Sequence, residues 1–156
     1  MSYLKPVKFS KAKKILAASV ELRGSYALLG SGMLELKAWL DERGISQSGN
    51  PFALFYDNPT EVPESQLRSE ACIPVAKAFL SEGRFSFKEF PECRVAETTH
   101  EGKPEEYAST YGAFLEGLLK AGYNLAGPAR EFYHAPASDL APGMGWMIQQ
   151  PISKRA

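Results

Sequence analysis

The chain has 156 residues, 44% of them apolar, so it can bury one core without disulfides or metals. Its 18 basic and 18 acidic residues give zero formal charge, which excludes a general attraction for nucleic acid or anionic membranes. With two cysteines and no apolar stretch of membrane-spanning length, we expect a cytoplasmic protein with no metal or cofactor, which binds neither nucleic acid nor membrane.

The first half of the chain predicts two strands, an amphipathic helix and two further strands. Apolar residues recur at steps of three and four from Tyr26 to Leu40, which is typical of a helix packed along one face. Ser25 can cap its start, and Gly44 fits the left-handed position after its last turn. These five elements lie near residues 7–9, 16–22, 26–43, 52–59 and 73–75.

The second half of the chain predicts the same succession of elements. Its helix runs from Tyr107 to Ala121, with Pro104 at a plausible first position and Gly122 after its end. The elements of this half lie near residues 85–87, 94–100, 104–121, 130–136 and 150–152.

The spacing of three anchor pairs predicts that the two halves are copies of one another. Gly24 and Gly102 are 78 positions apart, Phe55 and Phe132 are 77 apart, and Pro74 and Pro151 are 77 apart. We therefore predict an α+β fold, a tandem pseudo-twofold repeat of β-β-α-β-β modules at about 3–75 and 81–152. An antiparallel sheet with two long helices would form a single domain over 1–156, with a cleft between the modules.

The copies differ at one chemically important position. Aligning Phe55 with Phe132 places Glu131 where the first copy has Leu54. Because strand residues alternate, we expect Glu131 and Tyr133 to share one face, and Phe132 to point to the helix side. Glu131 and Tyr133 would then line the bare side of the sheet together with Leu54 and Tyr56.

A carboxylate among aromatic rings has two uses. Ionised, it attracts a flat cation, and each cation–π contact adds about 0.5–2 kcal/mol. Protonated by desolvation, it can act as a general acid toward a neutral electrophile. The alternative is that Glu131 lies at a strand edge in water and pairs with Arg130 or a lysine.

Other aromatic residues are candidates for the same cleft. Trp146 follows a loop of small residues at 135–143 that is suited to cover a cleft as a flap. Tyr107 and Tyr111 lie on the apolar stripe of the second helix, where they pack in the core with hydroxyl groups able to reach the cleft. The chain lacks a phosphate-binding loop, a serine nucleophile elbow, a zinc-protease motif and a Cys-x-x-Cys pair.

The order of four segments resembles the GyrI-like small-molecule-binding domain, which is the effector-binding domain of multidrug-responsive transcription activators. The segments are 51–57, 67–75, 100–102 with Tyr107 after it, and 127–133. The resemblance covers nearly the whole chain and implies a tandem pair of sheet-plus-helix (SHS2) modules. It also implies a cleft for hydrophobic, often cationic compounds, with Glu131 at the family's central acidic position and Tyr133 as the tyrosine that follows.

In the activators this domain follows a helix-turn-helix region, whereas here the first copy begins almost at Met1, so we expect a stand-alone form. Some stand-alone members hydrolyse reactive cyclopropyl-containing genotoxins, and others bind drugs or protein targets such as DNA gyrase. Three hypotheses follow: a multidrug-type small-molecule-binding protein, a cyclopropanoid hydrolase, and a protein-interaction module. The predicted ligand-binding residues are Leu54, Tyr56, Tyr107, Tyr111, Glu131, Tyr133 and Trp146; in the hydrolase, Glu131 and Tyr133 would be catalytic.

Overall fold

A computed structural model describes residues 7–99, 107–138, 140 and 143–155. Within them the chain forms nine strands and two α-helices. The strands are β1 (Lys8–Ala12), β2 (Ile15–Arg23), β3 (Phe52–Phe55), β4 (Arg68–Pro74), β5 (Phe85–Phe90), β6 (Cys93–Thr99), β7 (Tyr123–Leu125), β8 (Ala129–Phe132) and β9 (Met147–Lys154). The helices are α1 (Leu29–Glu42) and α2 (Tyr107–Lys120).

The strands form one curled antiparallel sheet in the order β1-β6-β9-β8-β3-β4-β2-β5, and β7 pairs with β9 outside that path. The order is symmetric about the β8–β3 pair, since β3, β4, β2 and β5 on one side mirror β8, β9, β6 and β1 on the other. The predicted α+β fold is therefore confirmed. One detail differs: β1 pairs with β6 and β5 with β2, so each half of the sheet takes its outermost strand from the other half of the chain.

The ends of the two helices follow the predicted chemistry. A short 3-10 turn at Tyr26–Leu28 precedes α1, and the Ser25 hydroxyl accepts a hydrogen bond from the Ala27 N–H at 3.1 Å. Gly44 (φ 67°) and Gly122 (φ 94°) take the left-handed conformation just after α1 and α2. Pro104, the predicted start of the second helix, lies outside the described residues.

Both helices pack on the same face of the sheet, which we call the helix face. Residues directly paired across antiparallel strands point to the same side. Pairing runs from Ala71 to Ala53, from Ala53 to Glu131, and from Glu131 to Ile148. Ala71 packs in the cluster under α1, and Ile148 packs under Phe114 and Leu118 of α2. Glu131 therefore lies on the helix face, between the two helices.

The other side of the sheet, which we call the inner face, holds a separate apolar cluster. Its buried members are Ala17, Phe52, Leu54, Cys72 and Phe132. The curl of the sheet brings Phe90 of β5 against Phe52 of β3, with ring centroids 5.4 Å apart. No helix in the described part of the chain is both long enough and apolar enough to cross a membrane.

Candidate functional site

Glu131 is the buried acid of the helix face. Its side chain is 1% exposed and accepts a hydrogen bond from the Tyr133 hydroxyl at 2.6 Å. The Gly143 N–H donates to both carboxylate oxygens, at 3.2 and 3.0 Å, and the Gly145 N–H donates as well. All of these donors are neutral, and Glu131 makes no ion pair with any described lysine or arginine. This excludes the alternative of a solvated strand-edge glutamate paired with Arg130.

Burial raises the pKa of Glu131 from 4.5 to about 7, because the ionised form loses its hydration and gains no cation. The hydrogen bonds from Tyr133, Gly143 and Gly145 favour the ionised form and partly oppose that rise. The carboxyl group is thus poised to gain or lose a proton near neutral pH.

The described loop residues 143–145 lie over this carboxyl group, at the end of the segment predicted to act as a flap. Leu140 packs in the cluster under α1, and the carbonyl oxygen of Ser138 lies directly against the backbone of Gly30 in that helix. A side chain at Gly145 would collide with the Cγ of Glu131 and would lie 2.6 Å from the carbonyl oxygen of Phe132. Glycine at 145 is what allows the loop backbone to approach the acid.

Aromatic side chains accompany Glu131 on the helix face. Tyr133 is 1% exposed and packs in the α1 cluster, against which Phe55 also packs. The rings of Phe55 and Tyr26 meet edge to face at 5.0 Å. Tyr111 of α2 donates to the side-chain oxygen of Gln150 at 3.1 Å. Burial, with a smaller contribution from Tyr26, raises the pKa of Tyr111 to about 12, because the ionised phenolate would lose its hydration.

The structure corrects the face that we predicted for Glu131. Glu131 and Tyr133 do share one face, but that face is the helix face, and Phe132 points to the inner face beside Leu54. Alternation along a strand fixes which residues are together, but it does not fix which side the helices cover.

The predicted register of this strand is also wrong by one residue. Ala53 pairs with Ala71, and Glu131 pairs with Ile148. Ala71 and Ile148 each lie three residues before the proline anchors of their strands, so the counterpart of Glu131 is Ala53 rather than Leu54. The shared Phe-Tyr dipeptides, on which the sequence alignment depended, are not structurally equivalent.

Leu54 and Tyr56 consequently lie away from Glu131. Leu54 is buried on the inner face. Tyr56 is 40% exposed, and its hydroxyl donates to Glu70 at 2.6 Å. The other oxygen of Glu70 lies 2.7 Å from the Lys88 ammonium, so this second buried acid has a cation partner.

Trp146 also lies on the inner side of the sheet. Its ring packs against the inner-face cluster and stacks on His134, with centroids 5.7 Å apart and planes 15° apart. Its backbone N–H bonds to the Phe132 carbonyl oxygen at 2.9 Å. The side chain of Tyr107 lies outside the described residues. The structure thus gathers Glu131, Tyr133 and Tyr111 of the predicted set on the helix face. It adds Tyr26 and Phe55, whose rings meet on this face, and Gly145, whose backbone approaches Glu131.

A family model of the GyrI-like small molecule binding domain matches residues 5–143. The chain belongs to this GyrI-like family. A comparison with curated proteins found no match.

Several solved structures share the GyrI-like fold. The EcmrR C-terminal domain superposes with a TM-score of 0.74 at 20% identity, covering 97% of this chain and 99% of that one. EcmrR bound to DNA superposes with a TM-score of 0.80 at 18% identity; 98% of this chain is covered, and this chain spans 59% of the EcmrR chain. A hydrolase from Listeria innocua gives a TM-score of 0.65 at 9% identity, with coverages of 96% and 92%. SAV2435 bound to tetraphenylphosphonium gives 0.61 at 5% identity, with coverages of 95% and 94%. At these identities the likeness concerns the fold.

Proposed function

We propose that this chain binds flat, lipophilic, cationic compounds on the helix face, with Glu131 as the counter-charge. The observation that carries the proposal is a buried carboxylate, 1% exposed, whose described partners are a tyrosine hydroxyl and backbone N–H groups. A bound cation would supply the opposite charge that these neutral donors do not.

The contrast with Glu70 supports a ligand role over a structural one. Glu70 is also fully buried and also accepts a tyrosine hydroxyl at 2.6 Å, but Lys88 neutralises it. A buried acid that serves the fold is stabilised by such a partner, whereas Glu131 is left without one among the described residues.

The surrounding rings supply the apolar part of the site. Tyr26, Phe55, Tyr111 and Tyr133 lie on the helix face, and rings of this kind attract cations through their faces. Family membership indicates a small-molecule ligand, and the fold neighbour SAV2435 was solved with tetraphenylphosphonium, a lipophilic cation. Because the loop at 143–145 covers the carboxyl group, a ligand reaches Glu131 only when that loop lifts.

A matched pair of dyes tests this proposal. The 10-methylacridinium ion is a flat permanent cation, and acridine is its neutral analogue at mildly alkaline pH. We expect Glu131→Gln to weaken binding of 10-methylacridinium about tenfold or more and to leave acridine within about twofold. The control, Glu70→Gln, should weaken neither dye. Equal losses for both dyes in Glu131→Gln would refute the counter-charge role.

A hydrolase acting on strained cyclopropyl-type electrophiles is the second candidate, and one observation favours it. With its pKa near 7, Glu131 can serve as a general acid or base at neutral pH, and the Tyr133 hydroxyl is within hydrogen-bond distance. The test is turnover of a cyclopropyl-bearing alkylator in excess over the protein. Ring opening that depends on Glu131 would support the enzyme, and an unaltered compound would reject it.

A further inference from the structure

A cavity of about 600 Å³ opens on the inner face, on the opposite side of the sheet from Glu131. Side chains of the inner face form its apolar wall: Ile15 of β2, Pro74 of β4, Phe132 of β8 and Met147 of β9. Trp146 contributes an aromatic wall. The volume is that of a pocket for a small organic molecule.

The charge at this cavity is positive. Lys13 and Lys14 line it, and its described lining residues include no aspartate or glutamate, although Glu89 lies beside Lys14 and Glu97 beside Gln149. Lys13 makes no ion pair with a described residue, and Lys14 lies 3.9 Å from the carboxylate of Glu89, at the outer limit of an ion pair. The charge of the side chains that line this cavity is therefore opposite in sign to the charge of the Glu131 site.

Two lining residues carry buried polar atoms with no partner in the described part of the chain. Gln149 is 8% exposed; its Nε2 donates to Glu97 at 2.9 Å, while its Oε1 accepts nothing. The indole Nε1 of Trp146 is buried and donates to nothing. A buried polar atom without a partner is unfavourable, so a ligand that reaches these two atoms and supplies one acceptor and one donor is favoured.

Arg130 adds a buried positive charge next to Gln149, with which it pairs directly between β8 and β9. Its side chain is 6% exposed; among the described residues its Nη1 has no partner, and its Nη2 contacts the Cys93 sulfur at 3.7 Å. The guanidinium lies over the Phe90 ring, 5.7 Å from the centroid. None of the described carboxylates forms an ion pair with it, so the inner face has an uncompensated cation where the helix face has an uncompensated anion.

We infer that this cavity is a second ligand site, which takes an aromatic anion, a carboxylate or sulfonate, that also carries an N–H or O–H donor. The anion is placed near Lys13 and Lys14 and accepts from the Trp146 indole, the donor bonds to Gln149, and the rings lie against Phe132 and Met147. The site differs from the proposed cation site in its face and in its charge.

Two dyes with the same ring system test this inference. The dye 1-anilinonaphthalene-8-sulfonate carries a sulfonate and an N–H, and N-phenyl-1-naphthylamine is the same molecule without the sulfonate. We expect the double substitution Lys13→Gln, Lys14→Gln, at two exposed positions, to weaken the sulfonate dye about fivefold and the neutral dye by less than twofold.

A second measurement locates the dye. The indole N–H resonance of Trp146 should shift when the sulfonate dye binds, while that of Trp39, a buried residue of α1, serves as internal reference. Glu131→Gln should leave sulfonate binding unchanged. The inference is overturned if the lysine substitutions weaken both dyes equally or neither, if Trp146 does not respond, or if Glu131→Gln abolishes sulfonate binding.

Discussion

The hydroxyl of Tyr133 donates to the buried carboxylate of Glu131 at 2.6 Å, and neither side chain is more than 1% exposed. The chain contains a second pair of the same kind, Tyr56 and Glu70, on the opposite face of the sheet and at the same distance. The two pairs differ in their charge balance, because Lys88 neutralises Glu70 while neutral donors surround Glu131. This difference separates a structural ion pair from a candidate ligand site.

The stability of the protein should depend on pH through Glu131. Its pKa in the folded state, about 7, lies above the ordinary 4.5, so the folded protein binds the proton more tightly than the unfolded chain does. The protonated form is stabilising below pH 4.5, and that contribution is lost as the pH rises to about 7. The free energy of unfolding of Glu131→Gln, measured relative to wild type, should therefore increase by on the order of 3 kcal/mol between about pH 4 and pH 8.

Urea unfolding of both proteins across that pH range measures the gain. Glu61→Gln, at an exposed position, controls for the loss of one negative charge and should show no such trend. A difference between Glu131→Gln and wild type that stays constant with pH would rule out a raised pKa at Glu131.

Closure of the loop over the acid should depend on Gly145. Alanine there would collide with Glu131 and would lie 2.6 Å from the Phe132 carbonyl oxygen, so we expect a loss of about 2 kcal/mol or more in the free energy of unfolding. Gly117 of α2 has open space around it, and Gly117→Ala should instead stabilise by about 0.5–1 kcal/mol. Denaturant unfolding of the two variants makes the comparison, and equal effects would mean that residue 145 is not tightly packed.

The two tyrosine–glutamate pairs should respond differently to loss of the hydroxyl. Tyr133→Phe removes a donor that favours ionised Glu131, so its pKa should rise and binding of 10-methylacridinium near neutral pH should weaken. Tyr56→Phe acts on the inner face, beside Glu70, and should leave that binding unchanged. Fluorescence titration of both variants decides the matter, and a larger effect of Tyr56→Phe would return the ligand to the face first predicted from the sequence.

The sequence was sufficient to predict the two helices and the glycines that follow them. The periodicity from Tyr26 to Leu40 and the glycines after each helix reflect interactions between residues that are close in sequence, so the sequence alone reveals them. The covered face and the register were not predictable in this way. Phe132 and Tyr133 are both large aromatic residues, so either could face a helix, and the repeated Phe-Tyr dipeptide favoured an alignment that the cross-strand pairs do not follow.

The contacts of Gly145 and the orientation of Arg130 were likewise not predictable from the sequence. Gly145 matters because a loop backbone folds back onto a strand 14 residues earlier in the chain, a contact with no local signal. Arg130 adjoins Glu131 in sequence and invited an ion pair, but alternation sends the two side chains to opposite faces.

The measurement that tests the central claim most directly is the ionisation of Glu131 in the free protein and in the protein saturated with 10-methylacridinium, followed by carbon NMR of its labelled carboxyl group. If the carboxylate is the counter-charge of the ligand, the titration midpoint should fall from about 7 in the free protein toward the ordinary 4.5, because a bound cation favours the ionised form. Binding should then strengthen as the pH rises toward 7. A midpoint that is the same with and without the cation would contradict the account.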